Sequence, residues 1–194
     1  MKRSPATSFR RLLHQSVLAV GALAGFFQTY AIPLRVNRGP EGQWWETVRR
    51  LVAGTAGAFD SRAGPRPITE AEYAGSLHCS LEETEELLYR CGFVRNPTAR
   101  LKTRNGTPEV GSWAYRESPL APRQLHLMLF DGANGEIDVY AHEELSSVNP
   151  LCGAAHFTGV GQSVGAGVRR ARDRFPLNTA DALENPPDSP WNRC

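Results

Sequence analysis

Two short runs of strict alternation, Gln124 to Phe130 and Ile137 to His142, constrain this chain more than any other feature. A period of two places Leu125, Leu127 and Leu129 on one side of a strand, and Ile137, Val139 and Ala141 on one side of the next. The segment between them, Asp131-Gly132-Ala133-Asn134-Gly135-Glu136, is rich in turn formers, so the two runs read as an antiparallel pair. Opposed side chains share a face, which pairs Leu129 with Ile137, Leu127 with Val139 and Leu125 with Ala141. This register needs an odd-length turn, met by a type I turn closed with a bulge at Gly135. The second face then carries His126, Met128, Phe130, Asp138, Tyr140 and His142, with His126 opposite Tyr140 and His142 diagonally near.

Helices are expected on either side of this pair. Ser80-Leu81-Glu82-Glu83 is a capping box, the serine hydroxyl accepting from the N3 amide while the glutamate reaches back to the cap amide. Leu81, Thr84, Leu88 and Cys91 continue at helical spacing to Gly92, which suits a left-handed stop, so a helix is expected over Ser80 to Arg90. Its four glutamates read as a solvated face rather than as catalytic carboxylates. Thr98 to Arg104 alternates Ala99, Leu101 and Thr103 against Arg100, Lys102 and Arg104, and Asn105-Gly106 turns the chain into a return strand from Val110 to Arg116. A last helix is expected from Gln162 to Phe175, where Val164, Val168, Ala171 and Phe175 form an apolar stripe and Pro176 ends the pattern. The expected fold class is α+β: a helix, a four-stranded antiparallel meander and a C-terminal helix, both helices on the Leu125/Val139 face, with an N-terminal apolar helix ahead of them.

The chain divides into a basic and apolar leader (1–38), a short helix with a Gly/Ala/Pro-rich linker (39–67), a compact α+β domain (68–176) and a proline-rich tail (177–194). The leader has four readings. Ser16 to Leu34 is close to the lower limit of about 17–25 residues for a membrane span. Lys2, Arg3, Arg10 and Arg11 before an apolar run that ends at Thr29-Tyr30-Ala31 suit a secretory signal cleaved near Ala31. Phe9, Leu12, Leu13, Val20 and Phe27 suit an interfacial helix, and an apolar helix packed on the domain is the fourth form. Membrane association through residues 9–34 is the expectation, with export after cleavage or a cytoplasmic location as alternatives. The partner is then a membrane surface or bilayer, and no protein partner is indicated.

The compartment matters for Cys79, Cys91, Cys152 and Cys194. A helix between Cys79 and Cys91 would hold them roughly 18 Å apart at 1.5 Å per residue, too far for a disulfide, which needs Cα atoms within about 7 Å. Any disulfide must join one of them to Cys152 or Cys194; buried apolar and free terminal thiols are the alternative. None shows the CxxC spacing of a structural zinc site.

The chemistry-bearing residues are few. Gly161-Gln162-Ser163-Val164-Gly165 has the G-x-S-x-G form of a nucleophile elbow, but no histidine follows Ser163 and the α/β-hydrolase alternation of elements is missing. Cys152 and His156 stand four residues apart without a recognisable orienting partner. No catalytic residues and no cofactor are therefore assigned. The candidate binding face comprises His126, Tyr140, His142, Asp138, Arg100 and Lys102. His126, His142, Asp138 or Glu144 offer the imidazole and carboxylate donors that zinc or iron takes. If Trp113, Tyr115, Phe130 and Tyr140 shared an uncovered face with Arg100, Lys102 and Arg104, the surface would suit single-stranded nucleic acid. A formal charge of +2 gives that partner no support, and packing by helices is the favoured alternative.

Arg123-Gln124-Leu125-His126-Leu127-Met128-Leu129-Phe130, continued by Asp138-Val139-Tyr140-Ala141-His142-Glu143-Glu144, resembles uncharacterised proteins of halophilic archaea. The resemblance covers about the middle third of the chain, Gly92 to Pro150, and implies no catalytic residues. The functional expectation is a non-enzymatic, membrane-associated accessory or binding protein. A nucleic-acid-binding module and a metal-dependent enzyme using the His126/His142 face are the alternatives.

Overall fold

The computed structural model describes residues 65–96, 99–149, 151–156, 159–175 and 177, together with 47, 50 and 51. The leader, the segment 9–34 and nearly all of the linker and tail lie outside the described residues. Among those described, no helix is long and apolar enough to cross a membrane.

The elements run β1 (Arg66–Pro67), β2 (Tyr73–Leu77), α1 (Leu81–Arg90), β3 (Val94–Arg95), β4 (Lys102–Arg104), β5 (Thr107–Pro108), β6 (Gly111–Tyr115), β7 (Arg123–Asp131), β8 (Ile137–Leu145), α2 (Gly153–His156) and α3 (Val164–Arg174). They form a mixed α+β fold with a five-stranded antiparallel sheet, β2-β8-β7-β6-β3, and a three-stranded sheet, β1-β4-β5. The expected meander is thereby redrawn. β4 leaves the main sheet, pairing parallel with β1 and antiparallel with β5 around the Asn105-Gly106 turn, where both residues have positive φ. Its place is taken by β2 and β3, which flank the sheet.

α1 begins and ends as its sequence dictates. Ser80 Oγ accepts from the Glu83 amide at 3.2 Å and Glu83 Oε2 accepts from the Ser80 amide at 2.8 Å. At the other end Gly92 has φ +82°, and the Phe93 and Gly92 amides donate to the Leu88 and Tyr89 carbonyls in a Schellman closure. Leu88 of α1 and Val168 and Ala171 of α3 bury against Leu125, Leu127, Leu129, Val139 and Ala141, so both helices cover the expected face. Trp113 and Tyr115 point into this layer as well.

The β7/β8 register differs from expectation by two residues. Leu129 faces Val139, Leu127 faces Ala141 and Leu125 faces Glu143; His126 lies opposite His142, not Tyr140. A shift of two keeps every side chain on its own face, so the alternation alone does not distinguish the two registers. The turn does. Gly132 N–H donates to the Glu136 carbonyl at 2.9 Å and Gly135 takes φ +77°, which extends both strands to nine residues.

α3 approaches β8 unusually closely. A Cβ on Gly167 would stand 2.2 Å from His142 Cα and 2.4 Å from the Glu143 nitrogen. Just before the helix, Ser163 and Glu143 exchange two backbone hydrogen bonds of 2.7 and 2.9 Å. The helix is therefore keyed to the strand that carries His142. Ser163 of the G-x-S-x-G segment serves as its N-cap residue.

Candidate metal centre

The face of β7 and β8 turned away from α1 and α3 is buried, with an apolar end at Met128, Phe130 and Tyr140 and a polar end beyond it. Gln124, His126, His142 and Glu144 are each at most 8% exposed. Cross-strand pairing sets His126 against His142 and Gln124 against Glu144. β6 adds Ser112 beside them, the short helical turn Glu70–Glu72 adds Glu72, and α2 adds His156.

Two imidazoles and one carboxylate converge. His126 Nδ1 is 3.2 Å from His142 Nε2 and 3.1 Å from Glu144 Oε1, while His142 Nε2 is 3.2 Å from Glu144 Oε2. Adjacent donors around a four-coordinate ion with bonds of about 2.0–2.1 Å stand about 3.3 Å apart. The two imidazole distances run to different oxygens of Glu144, and with one donor atom taken from each residue the three lie within 4.8 Å of one another, so a divalent ion fits with side-chain adjustment and without rearrangement of the strands. Each ring is also oriented through its far nitrogen: His126 Nε2 lies 2.7 Å from Ser112 Oγ, and His142 Nδ1 lies 2.9 Å from Glu72 Oε1. In the tautomers that donate from those nitrogens, a lone pair of each ring faces the shared space, the outer arrangement that metal-binding histidines use. Gln124 Nε2 holds Glu144 Oε1 at 2.8 Å, and Gln162 Nε2 approaches Glu72 Oε1 at 3.3 Å.

The electrostatics follow from burial and pairing. Burial disfavours the charged form of His126 and pushes its pKa down to about 3, against the opposing pull of Glu144. Burial also acts on His142, yet the Glu144 and Glu72 carboxylates outweigh it and hold the imidazolium above its ordinary value. Glu72 would be raised by burial, but hydrogen bonds from His142 and the Thr69 amide bring it to about 2. Glu144 is raised by burial and lowered further by His156 and His126, which leaves it well below the usual carboxylate range. The two carboxylates thus favour positive charge at His142, where a cation would also be favoured.

A small polar cavity adjoins the triad, lined by His126, Glu144, His156, Gln162, Lys102 and Arg100, with Arg66 and Gly159 at its rim. Of the six residues singled out from sequence, His126, His142, Arg100 and Lys102 come together around the triad and this cavity. Asp138 and Tyr140 do not. Asp138 is ion-paired with Arg104. The Tyr140 hydroxyl meets Glu70 at 3.3 Å, and its ring packs on Phe130 and Tyr73 in a separate apolar cluster. The basic-aromatic surface is not assembled either: Trp113 is buried under the helices, on the opposite side of the sheet from Phe130 and Tyr140. Cys79, Cys91 and Cys152 are free thiols.

Sequence reasoning missed Glu72, Ser112 and Gln124. Ser112 and Gln124 are legible in principle, as in-phase neighbours of His126 across and along the strands. Glu72 carries no local signal, since it lies 70 positions from His142. No protein family, curated protein or solved structure matches the chain.

Proposed function

We propose that this domain holds a divalent transition-metal ion, zinc or iron(II), through His126, His142 and Glu144, and that residues 9–34 attach it to a membrane. The observation that carries the first half is the convergence of three buried donor groups at 3.1–3.2 Å, with both imidazoles oriented from behind by Ser112 and Glu72. Two imidazoles and one carboxylate are the donor set of zinc hydrolases and of non-haem iron centres alike. Three protein ligands leave a coordination position open, and an ion held in this way supplies Lewis acidity to whatever occupies it. This reading takes up the metal-dependent alternative on the His126/His142 face, because the cluster is built in two shells rather than as isolated histidines on a sheet.

The test is metal content. Full-length protein purified without chelator from zinc- or iron-supplemented growth is expected to retain about one ion per chain, and a His126→Ala, His142→Ala double variant to retain none. Wild-type protein without stoichiometric metal would refute the reading and leave a purely structural polar cluster. The attachment is tested separately by fractionation. Full-length chain that resists a carbonate wash supports it; chain released into the soluble fraction rejects it.

A further inference from the structure

The cavity beside the triad is lined by a lysine from outside the main sheet. Lys102 opens β4, and its backbone N–H donates to Glu109 Oε1 at 2.8 Å, which fixes the start of the strand. The side chain is 94% buried and lines the cavity. Its charge is balanced at a distance by Glu144, Glu109 and Glu72, but among the described residues its ammonium makes no hydrogen bond or ion pair. The ammonium therefore has no direct acceptor from the protein, and the polar cavity that this side chain lines is where an acceptor would sit. The parallel pairing of Arg66 with Lys102 sets a second cation at the rim, and Arg100 lines the same space. Gln162 adds a neutral amide.

We infer that this cavity is a binding site for the oxyanion end of a small ligand, a carboxylate or a phosphate, held by Lys102 with Arg66 at the entrance. The cavity admits roughly a single water-sized group. Only the terminal oxygens therefore enter, and the rest of the ligand lies outside past Arg66. The charge inventory points the same way. With a divalent ion in the triad, Glu72, Glu109 and Glu144 are matched by that ion and Lys102, and Arg66 at the rim adds positive charge rather than negative. The inference goes beyond the metal reading and does not require it, because Lys102, Arg66 and the cavity are present whichever cation sits between His126 and His142.

The experiment is calorimetric titration of the full-length protein with inorganic phosphate and, separately, with acetate, with metal content measured on the same sample. Saturable binding of at least one anion is expected. Lys102→Met should weaken it by about tenfold or more, and Arg66→Gln by about threefold, as befits a direct and a peripheral charge-assisted contact. Arg169→Ala, on the exposed side of α3, should leave it unchanged. The anion bound more tightly identifies the ligand's end group. Absence of saturable binding by both anions, or equal affinity in the Arg66→Gln variant and wild type, would overturn the inference. Arg66 is an exposed position, so this variant keeps the test valid even where Lys102→Met does not fold. Anion binding in protein without metal would refute the metal centre and leave the anion site standing; metal without anion binding would do the reverse.

Discussion

The two faces of the β7/β8 pair are built from the same eighteen positions and are buried to a similar degree, yet they do different work. One face presents Leu125, Leu127, Leu129, Val139 and Ala141 to α1 and α3. The other holds His126, His142, Gln124 and Glu144 among carboxylates, amides and hydroxyls. An apolar side chain gains by leaving water in almost any orientation, so the first face tolerates adjustment as long as volume is kept. A buried ionisable group is favourable only if each of its polar atoms meets a partner, so the second face requires particular atoms at particular distances. Burial alone thus does not separate structure from chemistry in this domain; directionality does.

Substitutions on the two faces should break this contrast in different ways. Leu127→Ala should cost the most stability, about 2–5 kcal/mol for a fully buried leucine, while leaving one metal ion per folded chain. Loss of metal at temperatures where the variant is folded would show that the faces are not independent. Gly167→Ala should come next at up to about 3 kcal/mol, since the new Cβ must displace the β8 backbone rather than a flexible side chain. It should also lower metal affinity, because the atoms it meets belong to His142. A denaturant midpoint equal to that of the wild type would mean α3 is not seated on β8 as described.

Acid should destabilise the metal-free domain through the polar face. In the folded state His126 titrates at about 3 instead of 6.5, and Glu72 at about 2 instead of 4.5. Both folded values lie below the unfolded ones, so the unfolded chain binds more protons as pH falls. Their stabilisation is complete above about 6.5 and is lost first between 6.5 and 3 as unfolded His126 protonates, then between 4.5 and 2 through Glu72. His142 acts oppositely: its raised value contributes below 6.5 and is lost as pH rises through the folded value. Urea midpoints measured from pH 7 to pH 4 should fall on the acid side; a rise toward pH 4 would mean that His142, not His126 and Glu72, dominates the titration of the cluster.

The smallest effect on stability should come from Ser112→Ala, about 1 kcal/mol for a buried imidazole nitrogen left without its hydrogen-bond partner. Its effect on metal affinity should be larger in proportion, about tenfold, because the serine selects which His126 nitrogen keeps the lone pair. Equal metal affinity in variant and wild type would assign Ser112 to packing alone.

The alternation of Leu125, Leu127 and Leu129 made the apolar face legible, and the capping box made the start of α1 legible, because both are local patterns whose energetics act within one element. The β7/β8 register was not, since slipping by two residues leaves the faces intact and the Gly132–Glu136 turn decides the matter. β2 was hidden because Gly75 and Ser76 interrupt any apolar alternation; the strand is held by pairing with β8 through an irregularity at Gly75. Lys102 reads as part of the basic face of a strand, alongside Arg100 and Arg104. It is buried instead, because the distant Glu109, Glu144 and Glu72 make a low-exposure ammonium tolerable there. The histidines were recognisable as a pair on one face; their carboxylate support from Glu72 was not.

That support has a consequence for the order in which the molecule is put together. Glu72 contacts His142 across 70 positions and Gln162 across 90, so its cluster joins an early segment of the chain to two late ones. During synthesis the carboxylate of Glu72 is made long before the imidazole that lowers its pKa. It stays hydrated until β8 and the segment before α3 have emerged. Contacts this distant are slow to close, and they reward the chain only once nearly all of it is present. Premature truncation ahead of Gln162 would therefore take α3 from the apolar face as well as Gln162 from the polar one, and leave both sides of β8 unfinished.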